Sequence, residues 1–273
     1  MVELRNRRVL IDPGVALAPF RFKLSPHKVE IERAGTIREK ILTEAESATD
    51  IVISHFHGDH APLDYPDSVQ LSLTDFVKRL GKASLWVKGS FGNTRLMEER
   101  FVQTVRMLGE MMIEGDGKDL GELSFSAPVW HGVKGRGMVL MTRISEGRDV
   151  FVHGSDIQLL DDEAVATIIT WKPEVAFVAG PPLYLSSLRE EARVQVLANG
   201  IRLAQSTGLL IVDHHLLRAE VGKRWLEMVR EKSKSRVVDG ASFMGLKTEL
   251  LEANRRQLYQ RAGDTLSNQN RKD

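Results

Sequence analysis

The chain has 273 residues, a hydrophobic fraction of 42% and a formal net charge of +1. That length can bury a sizeable core, and the near-neutral balance provides no global field to draw in nucleic acid. The absence of cysteine excludes disulfides, thiolate ligands and a cysteine nucleophile, so any transition-metal ligand must be nitrogen or oxygen.

Met1 to Arg8 lacks the apolar run of a secretory signal, and no apolar run reaches the ~20 residues that span a bilayer. The expectation is a cytoplasmic protein with no membrane partner. Arg8-Val9-Leu10-Ile11-Asp12-Pro13-Gly14 reads as a strand stopped by a turn. Residues 18–28 hold two prolines and alternating aromatic and basic side chains. They read as a solvated connection, or as a flap in which Arg21, Lys23 or Lys28 meets an anionic substrate. His27 alone reads as a surface histidine. Residues 36–45 carry Ile37, Ile41 and Leu42 on one helical face.

Residues 50–60 organise the chain. Asp50 to Ser54 is a short β-branched run that reads as a buried strand. It leads into His55-Phe56-His57-Gly58-Asp59-His60. In an extended chain His55 and His57 point to one side. Gly58 permits a sharp bend, so Asp59 and His60 can approach the same point from another direction. Imidazole and carboxylate suit zinc, iron or manganese.

Further along, residues 83–87 read as a strand. Asn93 or Thr94 caps a long helix whose methionines, through Met112, read as core filler. Strands are expected at 123–130 and 137–144, with a hairpin turn at 146–149 into 150–152. Trp130-His131-Gly132 places a histidine at a strand end with room for a ligand. His153-Gly154-Ser155-Asp156 carries an apolar strand into an aspartate; His153 reads as core or support. Helix 160–169, strand 175–179, the break at Gly180-Pro181-Pro182, helix 187–206 and strand 209–212 follow. That last strand runs into Asp213-His214-His215. In an extended chain the two histidines would face opposite sides, so one is expected at the site and the other against a sheet or solvent. Helix 219–232, strand 236–238, a helix from about 242 to 259 and a frayed tail from about 266 complete a single domain.

The pattern His55-x-His57-x-Asp59-His60 after an apolar strand, followed by His131, Asp156 and His214, resembles the metallo-β-lactamase fold superfamily. Within it, the chain looks most like a small prokaryotic group of predicted metal-dependent hydrolases. The resemblance implies an α+β fold, a four-layer αββα sandwich; composition alone supports only mixed α and β. It also implies a binuclear centre: one ion on His55, His57, His131 and Asp156, the second on Asp59, His60, Asp156 and His214, with Asp156 bridging. Asp12 would lie below the ions and steady the ligand loop, and Asp213 would hold a histidine's second nitrogen. The ions, zinc first, would stand ~3.5–4 Å apart around a hydroxide that attacks the substrate, with Asp59 orienting the water and passing on its proton.

The function implied is hydrolysis of a phosphodiester or phosphorylated substrate, small or nucleotide-like. Nucleic acid is a further candidate that the net charge does not support. A lactone or thioester hydrolase, a di-iron redox protein and a non-catalytic metal-stabilised scaffold are the alternatives. Flavodiiron members carry Glu at the place of His57, which favours the hydrolase. The loop at Gly180-Pro181-Pro182 is expected to border the site and to bring Tyr184 to substrate. The oligomeric state is left open.

Overall fold

The structure is a computed structural model that describes residues 1–261. The tail expected from about residue 266 lies outside the described residues. One sheet contains β1 (Val2–Glu3), β2 (Arg8–Ile11), β3 (Asp50–Ile53), β4 (Ser84–Val87) and β5 (Met112–Glu114), in that spatial order. β1 runs antiparallel to β2 and the remaining pairs are parallel. The parallel strands need crossovers. These are α1 (Lys28–Ser47), α2 (Leu73–Arg79) and α3 (Arg95–Leu108).

The second sheet takes up the rest of the chain. Its order is β13 (Arg236–Val238), β12 (Leu209–Val212), β11 (Val175–Val178), β10 (Asp149–His153), β9 (Thr142–Glu146) and β6 (Leu123–Phe125). A small ladder of β7 (Val129–Trp130) and β8 (Met138–Val139) stands beside it. The helices of this half are α4 (Asp162–Thr170), α5 (Glu190–Gln205), α6 (His214–Leu217), α7 (Val221–Ser233), α8 (Gly240–Phe243) and α9 (Arg255–Arg261).

Strand alternation sets the layers. Val52 packs between the sheets with Val9, Trp86, Leu123, Phe125 and Ile144. Its neighbours Ile51 and Ile53 face the other way, onto Ala34, Leu42, Phe76 and Met97 of the first three helices. On the far side, Val152, Ala176, Val178 and Leu210 pack against Ile168, Val196, Trp225 and Val229 of α4, α5 and α7. The result is helix, sheet, sheet, helix: the expected αββα sandwich. Truncating a fully buried member such as Ile53 would cost about 2–5 kcal/mol. Among the described residues no helix is long and apolar enough to cross a membrane.

Several boundaries differ from expectation, each for a local reason. α1 begins at Lys28 because His27 and Glu30 cap it reciprocally: Val29 N–H donates to His27 Nδ1 (3.4 Å) and His27 N–H to Glu30 Oε2 (2.8 Å). His27 is therefore a buried cap, not a surface histidine. The helix expected through Met112 stops at Leu108, passes a 3₁₀ turn at Gly109–Met111 and gives its last methionine to β5. Of its methionines, Met97 is in the core while Met107 and Met111 are exposed. The strand expected at 123–130 is split before Val129, beside Pro128, which lacks a ladder donor. The final helix is reduced to two short pieces, α8 and α9. The helix α2 had not been anticipated.

Candidate metal centre

The site gathers where β3, β10 and β12 end, at the carboxyl edges of parallel strands. After β3 the chain turns tightly, with the N–H groups of His60 and Ala61 both donating to His57 O (3.0 and 2.9 Å). The end of β2 supports this turn from beneath. Asp12 has a positive φ of 53°, unusual outside glycine. Its carboxylate accepts from Ser54 N–H (2.8 Å) and Ser54 Oγ (2.7 Å) and contacts His60 Nδ1 at 2.8 Å. Any Cβ at Gly14 would collide with the backbone of His60 and Ala61, so glycine is what lets the two loops touch.

From the other sheet, Ser155 also holds a positive φ, 54°, and its Oγ lies 2.6 Å from Ser54 Oγ. This contact ties the loop after β10 to the loop after β3 and delivers Asp156 between two groups of imidazoles. Asp156 Oδ2 lies 2.9 Å from His131 Nε2, 3.0 Å from His215 Nε2 and 3.6 Å from His55 Nε2. Asp156 Oδ1 lies 3.0 Å from His60 Nε2 and 2.8 Å from His214 Nε2. His55 Nε2 and His57 Nδ1 are 3.0 Å apart, and Asp59 Oδ2 is 3.9 Å from His214 Nε2.

One donor group is thus His55, His57, His131 and Asp156, a second is Asp59, His60 and His214, and a third, overlapping both, is Asp156, His214 and His215; within each, the donor atoms all lie within 4.8 Å of one another. His60 Nε2, His214 Nε2 and Asp156 Oδ1 are buried, close together and without a hydrogen bond. Buried polar atoms in that condition are costly unless a cation shares them. The donor set therefore fits metal ions held by nitrogen and oxygen.

Electrostatics divide the cluster. Burial lowers His55 to about 3 and His57 to about 4, aided by the neighbouring His60 and His131 respectively. Both offer neutral nitrogens at ordinary pH. Burial alone would lower His60 too, but Asp156, Asp12 and Asp59 together raise it well above its ordinary value. Burial would raise Asp156 and Asp59, yet His60 beside both, with Arg218 beside Asp59, holds the two carboxyls down.

A relative from Methanosarcina mazei described as a UPF0282 protein is 49% identical over 262 residues, covering 95% of this chain and 86% of its own. The chain belongs to the UPF0282 family. UPF0282 relatives from Pyrobaculum arsenaticum (35% identical, covering 94% of this chain and 88% of their own) and Methanocaldococcus jannaschii (33%, 95% and 90%) are similarly matched. No protein-family model matches. Among solved structures, a CmlA beta-hydroxylase mutant gives a TM-score of 0.44 at 12% identity, covering 71% of this chain and 43% of its own. MEM-A1, a subclass B3 metallo-beta-lactamase from a soil metagenome library, gives 0.29 at 16%, covering 83% and 78%. The layer order given above rests on the chain's own packing.

In this UPF0282 chain all seven histidines and aspartates expected as ligands converge on one point. Asp12 lies against Nδ1 of His60. His153 stacks on Phe177 with its Nδ1 3.9 Å from Asp12. Two expectations are corrected. His214 and His215 do not alternate, because α6 begins at His214; both rings turn toward Asp156. Asp213 makes no hydrogen bond to a histidine among the described residues. Its carboxylate lies against Gly240, where burial and then Asp239 raise its pKa.

Tyr184 lies next to the cluster, with its hydroxyl 3.4 Å from His215 Nδ1 and 3.4 Å from Arg218 Nη1. A cavity of about 300 Å³ opens on the site, bordered by Leu17, Ala18, Asp59, Arg100, His131 and Arg218. Tyr184 stands behind His215 and Arg218 rather than on that wall. Sequence reasoning allowed only one of His214 and His215 at the site, and missed Arg100 and Arg218. The doublet of histidines was the available signal for the second ring; a single arginine gives none.

Proposed function

We propose that the chain is a binuclear metal-dependent hydrolase acting on a phosphodiester or phosphorylated substrate. One observation carries the reading: Asp156 divides its two oxygens between two sets of donors in a buried site. A bridging position needs a carboxylate, since a single imidazole nitrogen cannot serve two ions. His55, His57 and His131 would hold one ion with Asp156 Oδ2, and Asp59, His60 and His214 the other with Oδ1. Two divalent ions there, zinc first, would supply Lewis acidity and lower the pKa of bound water from 15.7 to near 7. No serine or cysteine nucleophile is then required.

The chain's own residues supply orientation. Asp12 fixes the tautomer and direction of His60 through Nδ1, leaving Nε2 as donor. Asp59, paired with Arg218 at 3.3 Å, borders the cavity, where it would orient the attacking water and carry its proton away. A cavity of about 300 Å³ is at the small end for ligand sites and favours a small or nucleotide-like substrate. The test is elemental analysis of the purified protein, then a panel of phosphodiester, phosphomonoester, lactone and thioester substrates. Two metals per chain and turnover confined to phosphate esters are expected. Metal-free protein, or turnover of the lactone alone, would sink the reading. An iron content with a visible absorption band would point to redox chemistry instead.

A further inference from the structure

The two arginines at the cavity are arranged differently from the others nearby. Arg21, the basic residue of the 18–28 connection, donates Nη2 to Arg218 O (2.7 Å), lies 3.8 Å from Glu252 and covers the Tyr184 ring at 5.0 Å. Its charge is spent within the protein. Lys23 and Lys28 do not border the cavity. Arg100 and Arg218 do, and they come from opposite halves of the sandwich: Arg100 from α3 over the first sheet, Arg218 from the end of α6 over the second.

Arg218 is held by Asp59 (3.3 Å), Glu252 (3.8 Å) and Tyr184 Oη (3.4 Å). Arg100 is half-buried, and its one side-chain hydrogen bond among the described residues goes from Nη1 to Phe56 O, at 3.1 Å. No described carboxylate lies within salt-bridge distance of it; Asp59 acts on its charge only from farther off, and burial outweighs that. A guanidinium has five N–H donors in a planar fork, so most of those on Arg100 are uncommitted. A half-buried, unpaired guanidinium beside a metal-type site is costly by itself, and an anion arriving in the cavity relieves that cost. Carboxylate side chains already occupy the Arg218 side, so the demand for an external anion is concentrated on Arg100.

Resting on the hydrolase reading and extending it to the substrate, we infer that Arg100 and Arg218 form a two-sided clamp for a phosphate-class oxyanion. Arg100 supplies the main anchor, and the clamp makes the site selective for small anionic esters over neutral ones. Arg suits this role because its fork pairs two oxygens at once, which a lysine cannot do. The walls at Leu17 and Ala18 leave little room for a bulky body, so the anionic group is the principal handle.

Inorganic phosphate, titrated calorimetrically into the full chain as purified and again after chelator dialysis, tests this. Glycerol serves as the neutral control. Wild type should bind phosphate in both forms, and Arg100→Gln should weaken it at least tenfold in each. Arg218→Gln should weaken it less, because Asp59, Glu252 and Tyr184 already engage that guanidinium. If Arg100→Gln fails to fold, Arg100→Met keeps the packed stem and should show the same loss. Equal affinity in wild type and the folded variant, or no phosphate binding by wild type in either form, overturns the clamp. Metal content read on the same samples judges the hydrolase separately. Arginine-dependent phosphate binding by a protein that takes up no metal would sink that reading and leave the clamp standing.

Discussion

The two donor groups on either side of Asp156 share a carboxylate but are built in opposite ways. On the Oδ2 side, His55 is fully buried, and both it and His57 are held neutral by burial. On the Oδ1 side, His60 sits among three carboxylates that favour its proton, and both His60 Nε2 and His214 Nε2 lack a hydrogen bond. Asp59 and His214 there are only partly buried, and Asp59 pairs with Arg218. The first group is a preformed nest of neutral donors. The second is a charged, half-open group whose balance changes when a cation replaces the His60 proton. A site of this kind should load its first ion readily and make its second one conditional.

The largest effect should come from the residue the two groups share. Asp156→Ala removes the only described carboxylate that reaches both, and leaves five imidazoles without the buried carboxylate they share. Metal content should fall from the proposed two ions per chain to fewer than one, the second ion lost outright. A variant that still holds two ions at wild-type affinity would remove the bridge and the comparison with it.

The histidine doublet gives the next largest contrast. His214→Ala should abolish uptake on the Oδ1 side and spare the other. His215 approaches Oδ2 and is itself lowered to about 4, chiefly by burial. His215→Ala should weaken the first ion about tenfold, the scale of a residue supporting a ligand. Titrating metal into both single variants separates the outcomes; loss of the second ion in His215→Ala would reverse the assignment of the two rings.

Proton linkage sharpens the same division. His60 has a raised pKa in the metal-free fold, so below that value an ion entering the Oδ1 side must displace its proton. Affinity there should climb about tenfold per pH unit until His60 deprotonates unaided. His55 and His57, lowered to about 3 and 4, are already deprotonated above about pH 5 and add no such slope. The metal-free fold should behave conversely. The His60 proton stabilises it below the unfolded value near 6.5, and that contribution is lost as pH rises through the raised folded pKa. Equal pH slopes for the two ions, measured against a competing chelator, would erase the distinction.

The residues of this site differed in how legible they were. His55, His57, Asp59 and His60 stand in one short loop after an unmistakable strand, so spacing alone brings them together. His131 and Asp156 follow apolar strands beside glycines, a weaker signal that gained force from the first. The layer order was not readable from composition, and needed the alternation of Ile51, Val52 and Ile53 between two cores. His215 was misjudged because the alternation rule was carried past Val212, where the chain turns helical. The same switch turned the Asp213 carboxylate toward Gly240. Arg100 on α3 and Arg218 just past α6 are lone cations, and only tertiary packing places them at the cavity.

The smallest predicted effect falls on Tyr184. Its hydroxyl is 3.4 Å from both His215 Nδ1 and Arg218 Nη1, long for a hydrogen bond, so each contact is weak. Its ring lies 5.0 Å from the Arg21 guanidinium and 5.9 Å from that of Arg218, and stacks at 8° on His215. Tyr184→Phe keeps the ring and its cation–π contacts and removes only the hydroxyl. The loss should correspond to one modest hydrogen bond, about 0.5–1.5 kcal/mol, or roughly two- to tenfold in turnover. Metal content should not change, because the tyrosine reaches His215 and Arg218 but none of the donors assigned to either ion. Tyr184→Ala, which also removes the ring, should cost more by freeing Arg218 from its stack. If Tyr184→Phe lost metal, His215 would have to be a ligand whose orientation depends on that hydroxyl, and the line between the two groups would have to be drawn again.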